Sequence, residues 1–341
     1  MAAFAAIPRG DERDWSGFSR LLIGSACLLF ALGIAFLLAV DPYDTGRTGL
    51  LGRAGLHDQY PFTANASRAR DGRFDAAIFG NSHVQALRPE RLDLLTHHSF
   101  ASLTMPATYP PDILDVLRWY LIAHPGAARA IVIGLDERWC LAEDRRNAEY
   151  FPVWLYAPSF LRYLGGLVKM GSFEAAQLRL SHLRSGQKGL RPDGYWYYGP
   201  LYDKLGLTAR EPSYAKLAET VDFPTNETGA YPGLTRLRSE LERVPAATSL
   251  VLLRTPVYRT ALPAPGSEGA KAAGACAAEM ARIATSRPRT AFLDLLKPGP
   301  DAEDRDNFYD HSHVRDRLAV GIEQAVAASL AKLDGTGAPK S

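Results

Sequence analysis

The chain has no block of lysine or arginine: its 39 basic and 37 acidic residues are scattered along 341 positions, leaving a net charge of +2. A protein that grips a nucleic-acid backbone gathers positive charge on one face, so this even spread argues against nucleic acid as a partner. Cysteine is nearly absent. Cys27, Cys140 and Cys276 are too few to frame a disulfide scaffold. Cys27 falls inside an apolar run, and Cys140 and Cys276 are the one pair that an oxidising compartment could join. Nothing in their spacing supports a bridge, so two free buried thiols are expected. Internal repeats and low-complexity runs are also lacking. With 47% hydrophobic and 22% charged residues, the chain is neither disordered nor fibrous and can bury a full α/β core, by default in one large domain.

One long stretch has no charge at all. LLIGSACLLFALGIAFLLAV, residues 21–40, matches the roughly 20 residues that cross a hydrocarbon core of about 30 Å, and it reads as a transmembrane helix. A cleaved signal peptide carries a shorter apolar core, about 7–15 residues, and a small-x-small cleavage site, which residues 36–42 (FLLAVDP) do not offer. A soluble core helix would have to hide apolar surface on every side. The N-terminal tail, residues 1–20, holds Arg9, Arg13 and Arg20 beside Asp11, Glu12 and Asp14. Basic residues dominate topology, so the tail is expected in the cytoplasm. The rest then lies outside it, which in a bacterium means a single-pass protein on the periplasmic side of the inner membrane.

Residues 41–74, rich in Gly, Asp and Arg without periodicity, read as a linker. From residue 75 to 334, apolar runs at Ala76–Phe79, Phe100–Leu103, Ala130–Leu135, Ser249–Leu253 and Ala291–Leu295 alternate with helical patterns at Pro111–Ala123, Gly269–Thr285 and Val314–Leu333. That alternation predicts an α/β domain, a parallel sheet with helices on both faces. It is interrupted at about 137–244, which reads as an insertion after the third strand. The insertion holds a helix expected near Ser159–Ser181 and the patch GYWYYG at 194–199, whose rings either pack a small subdomain or stack on sugars. Residues 335–341 read as a disordered tail.

The run FDAAIFGNSH, residues 74–83, breaks from a buried strand at Gly80 and presents Ser82 at the head of a helix. A hydroxyl there is exposed, and the N–H groups of the next turn face any negative charge that develops beside it. Ser82 also reads as a plain helix cap. Its neighbour His83 projects elsewhere and reads as a surface or loop residue. Far downstream, Asp310-His-Ser-His313 precedes the last helix and reads either as that helix's cap or as chemistry. A carboxylate three positions before a histidine can accept its Nδ1–H, leaving Nε2 to take a serine proton; the spacing favours His313 over His311. A metal held by Asp310, His311 and His313 lacks further ligands, so neither metal nor cofactor is expected.

Gly80-Asn-Ser82 after the first strand and Asp310-x-x-His313 before the last helix resemble the first and last motif blocks of the SGNH (GDSL-like) hydrolase superfamily, over roughly Asp75 to Leu333. The resemblance implies a flavodoxin-like fold, with Ser82 as nucleophile, His313 as base and Asp310 as its orienter. Membrane-anchored members, relatives of the alginate O-acetylation proteins, act on acyl groups of envelope or secreted polysaccharides. By similarity this chain is an acetyl esterase or O-acyltransferase on such a glycan, with a multispanning membrane acyltransferase as a possible partner. The alternative is a non-catalytic carbohydrate-binding or assembly component. Two positions depart from the pattern. Gly134-Leu-Asp-Glu137 puts Asp136 where an asparagine would donate to an oxyanion, and Leu103–Tyr109 lacks the second block's glycine. Asn81, Thr108 and Asp136 are therefore the oxyanion or substrate candidates, with the backbone N–H of Ser82 and a group from Ala107 or Thr108 as the remaining donors. Losing one oxyanion donor costs about 2.7–4 kcal/mol of transition-state stabilisation.

Overall fold

Successive side chains of a strand point to opposite faces, so a strand that is apolar at every position must be covered on both. In the computed structural model, which describes residues 12–48, 50, 60–147, 149–185, 191–196, 199, 204, 217–218 and 220–335, five largely apolar strands form one all-parallel sheet. They are β1 (Ala76–Phe79), β2 (Phe100–Ser102), β3 (Ala130–Gly134), β4 (Ser249–Arg254) and β5 (Thr290–Asp294), in the order β2-β1-β3-β4-β5. Each lies within one residue, at either end, of the run predicted for it. Ala77, Phe79, Ile131 and Leu252 face one apolar cluster, while Ala76, Ile78, Val132 and Val251 face the other.

The helices follow from local signals. Along the chain come α1 (Glu12–Val40), α2 (Pro61–Arg68), α3 (Pro89–Thr96), α4 (Pro110–Ala123), α5 (Val153–Tyr156), α6 (Phe160–Leu167), α7 (Met170–Ser185), α8 (Pro232–Leu241), α9 (Glu268–Thr285), α10 (Pro300–Glu303) and α11 (Asp316–Asp334). Four of the longer ones, α2, α3, α4 and α8, open on proline, whose fixed φ suits the first turn and whose missing N–H is not needed there. Helices α4, α8 and α9 cover one face of the sheet, and α3 with α11 covers the other.

Helix α1 contains a 26-residue apolar stretch, Trp15–Val40, an 18-residue window of which has mean hydropathy 2.6 and is almost wholly exposed. It is long and apolar enough to cross a membrane. The following residues are not a loose linker where they are described. Asp41 and Asp44 both adopt left-handed backbone, at φ 47° and 48°, and form a buried collar with α7. Arg179 donates to the backbone carbonyl of Asp41 and lies 3.3 Å from Asp44 Oδ1. The Asp41 carboxylate accepts from Thr45 N at 3.0 Å, Gly46 N at 2.6 Å and Tyr163 Oη at 3.3 Å, and Ser67 Oγ donates to Asp44. The Tyr163 and Arg179 contacts join positions more than 100 apart, which no local pattern reveals.

Two further expectations are corrected. The helix predicted across Ser159–Ser181 is two helices, α6 and α7, parted at Val168 and Lys169. Gly165 and Gly166 weaken the helical run, and a Cβ on Gly166 would stand 2.0 Å from Trp154 Cγ, so the chain turns where it packs. Cys140 and Cys276 are not free thiols but a disulfide, with Cα atoms 5.6 Å apart. Parallel crossovers bring the turn after β3 against α9 although 136 residues separate the two in sequence. Closing so long a loop restricts the unfolded chain, a contribution of order 4–5 kcal/mol by the loop-closure argument. Of the aromatic patch, Tyr197 and Tyr198 lie outside the described residues, as do positions 1–11 and 336–341.

Candidate active site

The turn that follows β1 is built by two glycines and a valine. Gly80 has φ 147°, a backbone conformation open to glycine, and a Cβ there would stand 2.5 Å from Val84 Cγ2. Gly134, at the end of the neighbouring β3, meets the same side chain: its Cβ would lie 2.5 Å from Val84 Cγ1. Val84 therefore wedges between two strand ends that only glycine lets close, and a 3₁₀ turn, Ser82–Val84, is pinned over the carboxyl edge of the sheet. The cap of this turn is Asn81, whose Oδ1 accepts from His83 N at 3.1 Å. Ser82 is thus not the cap, and its N–H, at the head of the turn, has no acceptor among the described residues.

The other half of the site is a tight loop before α11. Phe308 and Val314 pair as an antiparallel bridge, Tyr309 N donates to His313 O at 2.8 Å, and Arg315 Nε donates to Phe308 O at 2.7 Å. Arg315, not Asp310, is the N-cap position of α11. Asp310 instead folds the loop on itself: its Oδ1 accepts from Ser312 N at 3.0 Å and His313 N at 2.9 Å. The His313 ring is left between two partners. Nδ1 lies 2.8 Å from both Asp310 oxygens, and Nε2 lies 2.8 Å from Ser82 Oγ. Burial works to raise the Asp310 carboxyl, but His313 and the two N–H groups overcome it and hold the pKa below the usual carboxylate range.

His83 stands beside this relay, its ring edge-on to His313 with centroids 5.5 Å apart. Burial, reinforced by the charges of His313 and Arg138 and opposed by Glu137, pushes its pKa down to about 4. A neutral His83 adds no positive charge that would resist protonation of His313.

The three oxyanion candidates fare differently. Asn81 and Asp136 meet, with Asn81 Nδ2 donating to Asp136 Oδ2. Asp136 also accepts from Arg138 N at 3.2 Å and caps the 3₁₀ turn Glu137–Cys140. Thr108 is fully buried and its hydroxyl donates to Met105 O at 2.7 Å, so it offers no proton to an oxyanion here. Ala107 has φ 58°; the backbone takes the left-handed shape that glycine favours, with an alanine bearing the strain.

Burial, with Glu137 adding, pushes the Asp136 pKa up to about 7, against Arg138 and Asn81. An acid raised on folding binds more protons in the native than in the unfolded state, so stability falls as pH rises from about 4 to about 7. Asp136→Asn is expected to remove that slope: relative to the parent, its Tm rises by several degrees as pH goes from 4 to 8, even though one acceptor of the Asn81 and Arg138 N–H groups is lost. A Tm difference independent of pH would show that Asp136 is ionised throughout.

His83, Asp136 and Glu137 bring ligand atoms within 4.8 Å of one another. The Arg138 guanidinium, 3.9 Å from Asp136, and the Asn81 amide already supply the positive partners of that group. Among the described residues Asp310, His311 and His313 do not bring three ligand atoms together, and the Asp310 carboxylate faces His313 Nδ1. The patch Gly194–Trp196 lies beside the site: Gly194 packs against Ser102 O at the end of β2, and Tyr195 and Trp196 line a small pocket with Gln85 and Thr104. Sequence reasoning overlooked the Asn81–Asp136 pair and the ion pair, at 3.0 Å, of buried Arg254 with half-buried Asp294 on the same sheet edge. Polar residues closing apolar strand runs were the available signal. No protein-family model and no curated protein matches the chain.

Proposed function

We propose that the protein is a membrane-anchored serine acyl-transfer enzyme of SGNH type, working outside the cytoplasm on acyl groups, acetyl above all, of an envelope or secreted polysaccharide. The observation that carries this is the relay itself. A hydroxyl at the head of a turn, an imidazole 2.8 Å away and a carboxylate 2.8 Å behind that imidazole have the distances of an activated nucleophile. The strand order 2-1-3-4-5 supports the flavodoxin-like reading, with 137–244 as an insertion in it.

In this mechanism Ser82 Oγ attacks the acyl carbonyl while its proton passes to His313 Nε2. Asp310 holds Nδ1–H and balances the imidazolium. Negative charge gathers on the carbonyl oxygen, toward which the Ser82 N–H can donate. Collapse breaks the ester bond, His313 returns the proton to the departing oxygen, and the acyl group stays on Ser82. A water or a sugar hydroxyl then gives its proton to His313 and takes the acyl group, and His313 passes that proton to Ser82 Oγ as the acyl-serine bond breaks.

The extracytoplasmic side is supported by the disulfide, which persists in oxidising compartments. Exposed Trp196 beside Gln85 supports a sugar as the acyl carrier. The non-catalytic alternative draws on Asp136, which claims the Asn81 amide and supplies no donor when ionised. The test is the detergent-purified full chain, given an acetyl donor ester with and without an oligosaccharide acceptor. Release of acetate, or its appearance on the sugar, is expected. A folded protein that binds the glycan yet does neither is a binding component.

A further inference from the structure

Helix α1 is bare from Trp15 to Leu32, and protein cover begins at Gly33, with Leu37 fully buried and Val40 5% exposed. The cover is α7. Its Phe173 ring stacks on Phe36, centroids 6.2 Å apart, and lies 3.4 Å from where a Cβ on Gly33 would stand. Further along α7, Arg179 reaches Asp41 and Asp44, just past the end of α1. The two helices therefore run side by side in the same direction, and Met170, at the start of α7, is carried down alongside the apolar span. Met170 is 75% exposed, and Leu161 at the start of α6 is 78% exposed.

The span has two possible frames, and both put Met170 at lipid. Counted from Leu21, the roughly 20 residues a bilayer needs end at Val40. Phe173 then lies more than one helical turn inside the hydrocarbon. Counted from Trp15, with the Arg20 side chain snorkelling to the interface, about 20 residues end at Ile34, and Phe173 and Met170 stand at the boundary. The second frame suits the charges better. Lys169, just before Met170, and Glu174, one turn after it, are both exposed and belong among headgroups rather than in hydrocarbon.

We propose that the elbow between α6 and α7, with Met170 near its tip, rests in the lipid interface of the same bilayer that α1 spans, its apolar side chains about 5–10 Å into the headgroup and acyl boundary. This rests on the reading of α1 as a membrane anchor. The domain would accordingly meet the membrane at two places, a spanning helix and a shallow foot.

The test uses the full chain with Cys27→Ser, reconstituted in vesicles of phosphatidylethanolamine and phosphatidylglycerol. An environment-sensitive fluorophore is placed singly at Leu28→Cys, Met170→Cys, Leu161→Cys or Gln324→Cys; the last is an exposed position of α11, on the opposite face of the sheet. Because Met170 and Leu161 are exposed, labelling them leaves the packing intact. Lipids with a nitroxide high on the acyl chain are expected to quench most of the Met170 signal and leave Gln324 bright, with Leu161 quenched to a lesser extent. If Leu28 is quenched while Met170 is no more quenched than Gln324, the foot is refuted and the anchor stands. If Leu28 is not quenched either, the anchor reading fails and the foot with it. Self-quenching at Met170 that grows with protein density, without quenching by lipid, would assign the elbow to a second copy of the chain and overturn the proposal.

Discussion

Ser82→Ala is expected to lower acetyl-ester turnover by roughly 10⁴- to 10⁶-fold, the loss seen when a nucleophile that acts as part of a unit is removed. The expectation is specific because Ser82 does little else. Its hydroxyl meets His313 Nε2, and the cap of its turn belongs to Asn81. A serine that merely capped a helix would show the opposite pattern: a stability loss of about 0.5–2 kcal/mol with activity unchanged. A fluorophosphonate probe should label the parent protein at Ser82 and leave the variant unlabelled. Equal labelling of both would place the nucleophile elsewhere.

Asp310→Asn is expected to cost about 10⁴-fold in turnover while the fold survives, as in other triads whose orienting carboxylate becomes an amide. The hydrogen bonds here say why. Asp310 Oδ1 holds the N–H groups of Ser312 and His313, so an asparagine keeps its oxygen there and turns its NH₂ toward His313 Nδ1. That ring must then carry its proton on Nε2, where it can no longer accept one from Ser82. Stability changes in a predictable sense. Since folding lowers the Asp310 pKa, its contribution is present above the unfolded value near 4 and is lost as pH falls through the folded value. The variant should therefore melt lower than the parent at pH 7, with the gap closing in strong acid. A large drop in Tm with normal activity per folded molecule would make Asp310 a loop-folding residue only.

Much of the scaffold was readable because its signals are local. Apolar runs of four to six residues marked all five strands, and helical patterns marked α4, α9 and α11, whereas α2, α3 and α8 went unread although each opens on proline. Ser82 and Asp310-x-x-His313 stood out as polar residues at predicted element ends, and the parallel sheet places such ends on one edge. Other features depend on partners that sequence distance hides. The Cys140–Cys276 bridge exists because the turn after β3 lies against α9. Asp41 and Asp44 looked like linker residues because Arg179, which binds both, sits in a helix far downstream. Asp136 looked like a failed oxyanion donor, yet its protonation is decided by burial and by Glu137, neither of which its motif position discloses. The break between α6 and α7 follows from Gly166 pressed against Trp154, a contact that helical periodicity cannot show.

The buried collar of Asp41, Asp44 and Arg179 also determines what Ser82 can encounter. A domain on a floppy leash explores a volume set by the length of its linker. This one is clamped to its helix at Asp41 and Asp44, one and four residues past Val40. On the reading of α1 as an anchor, the domain can drift laterally and spin about the membrane normal, and the nucleophile sweeps a single plane parallel to the lipid. A polymer held by one end in the same membrane would pass that plane at a constant distance from its root. On the proposed acyl-transfer function, the mount would set the height above the bilayer at which such a polymer is modified.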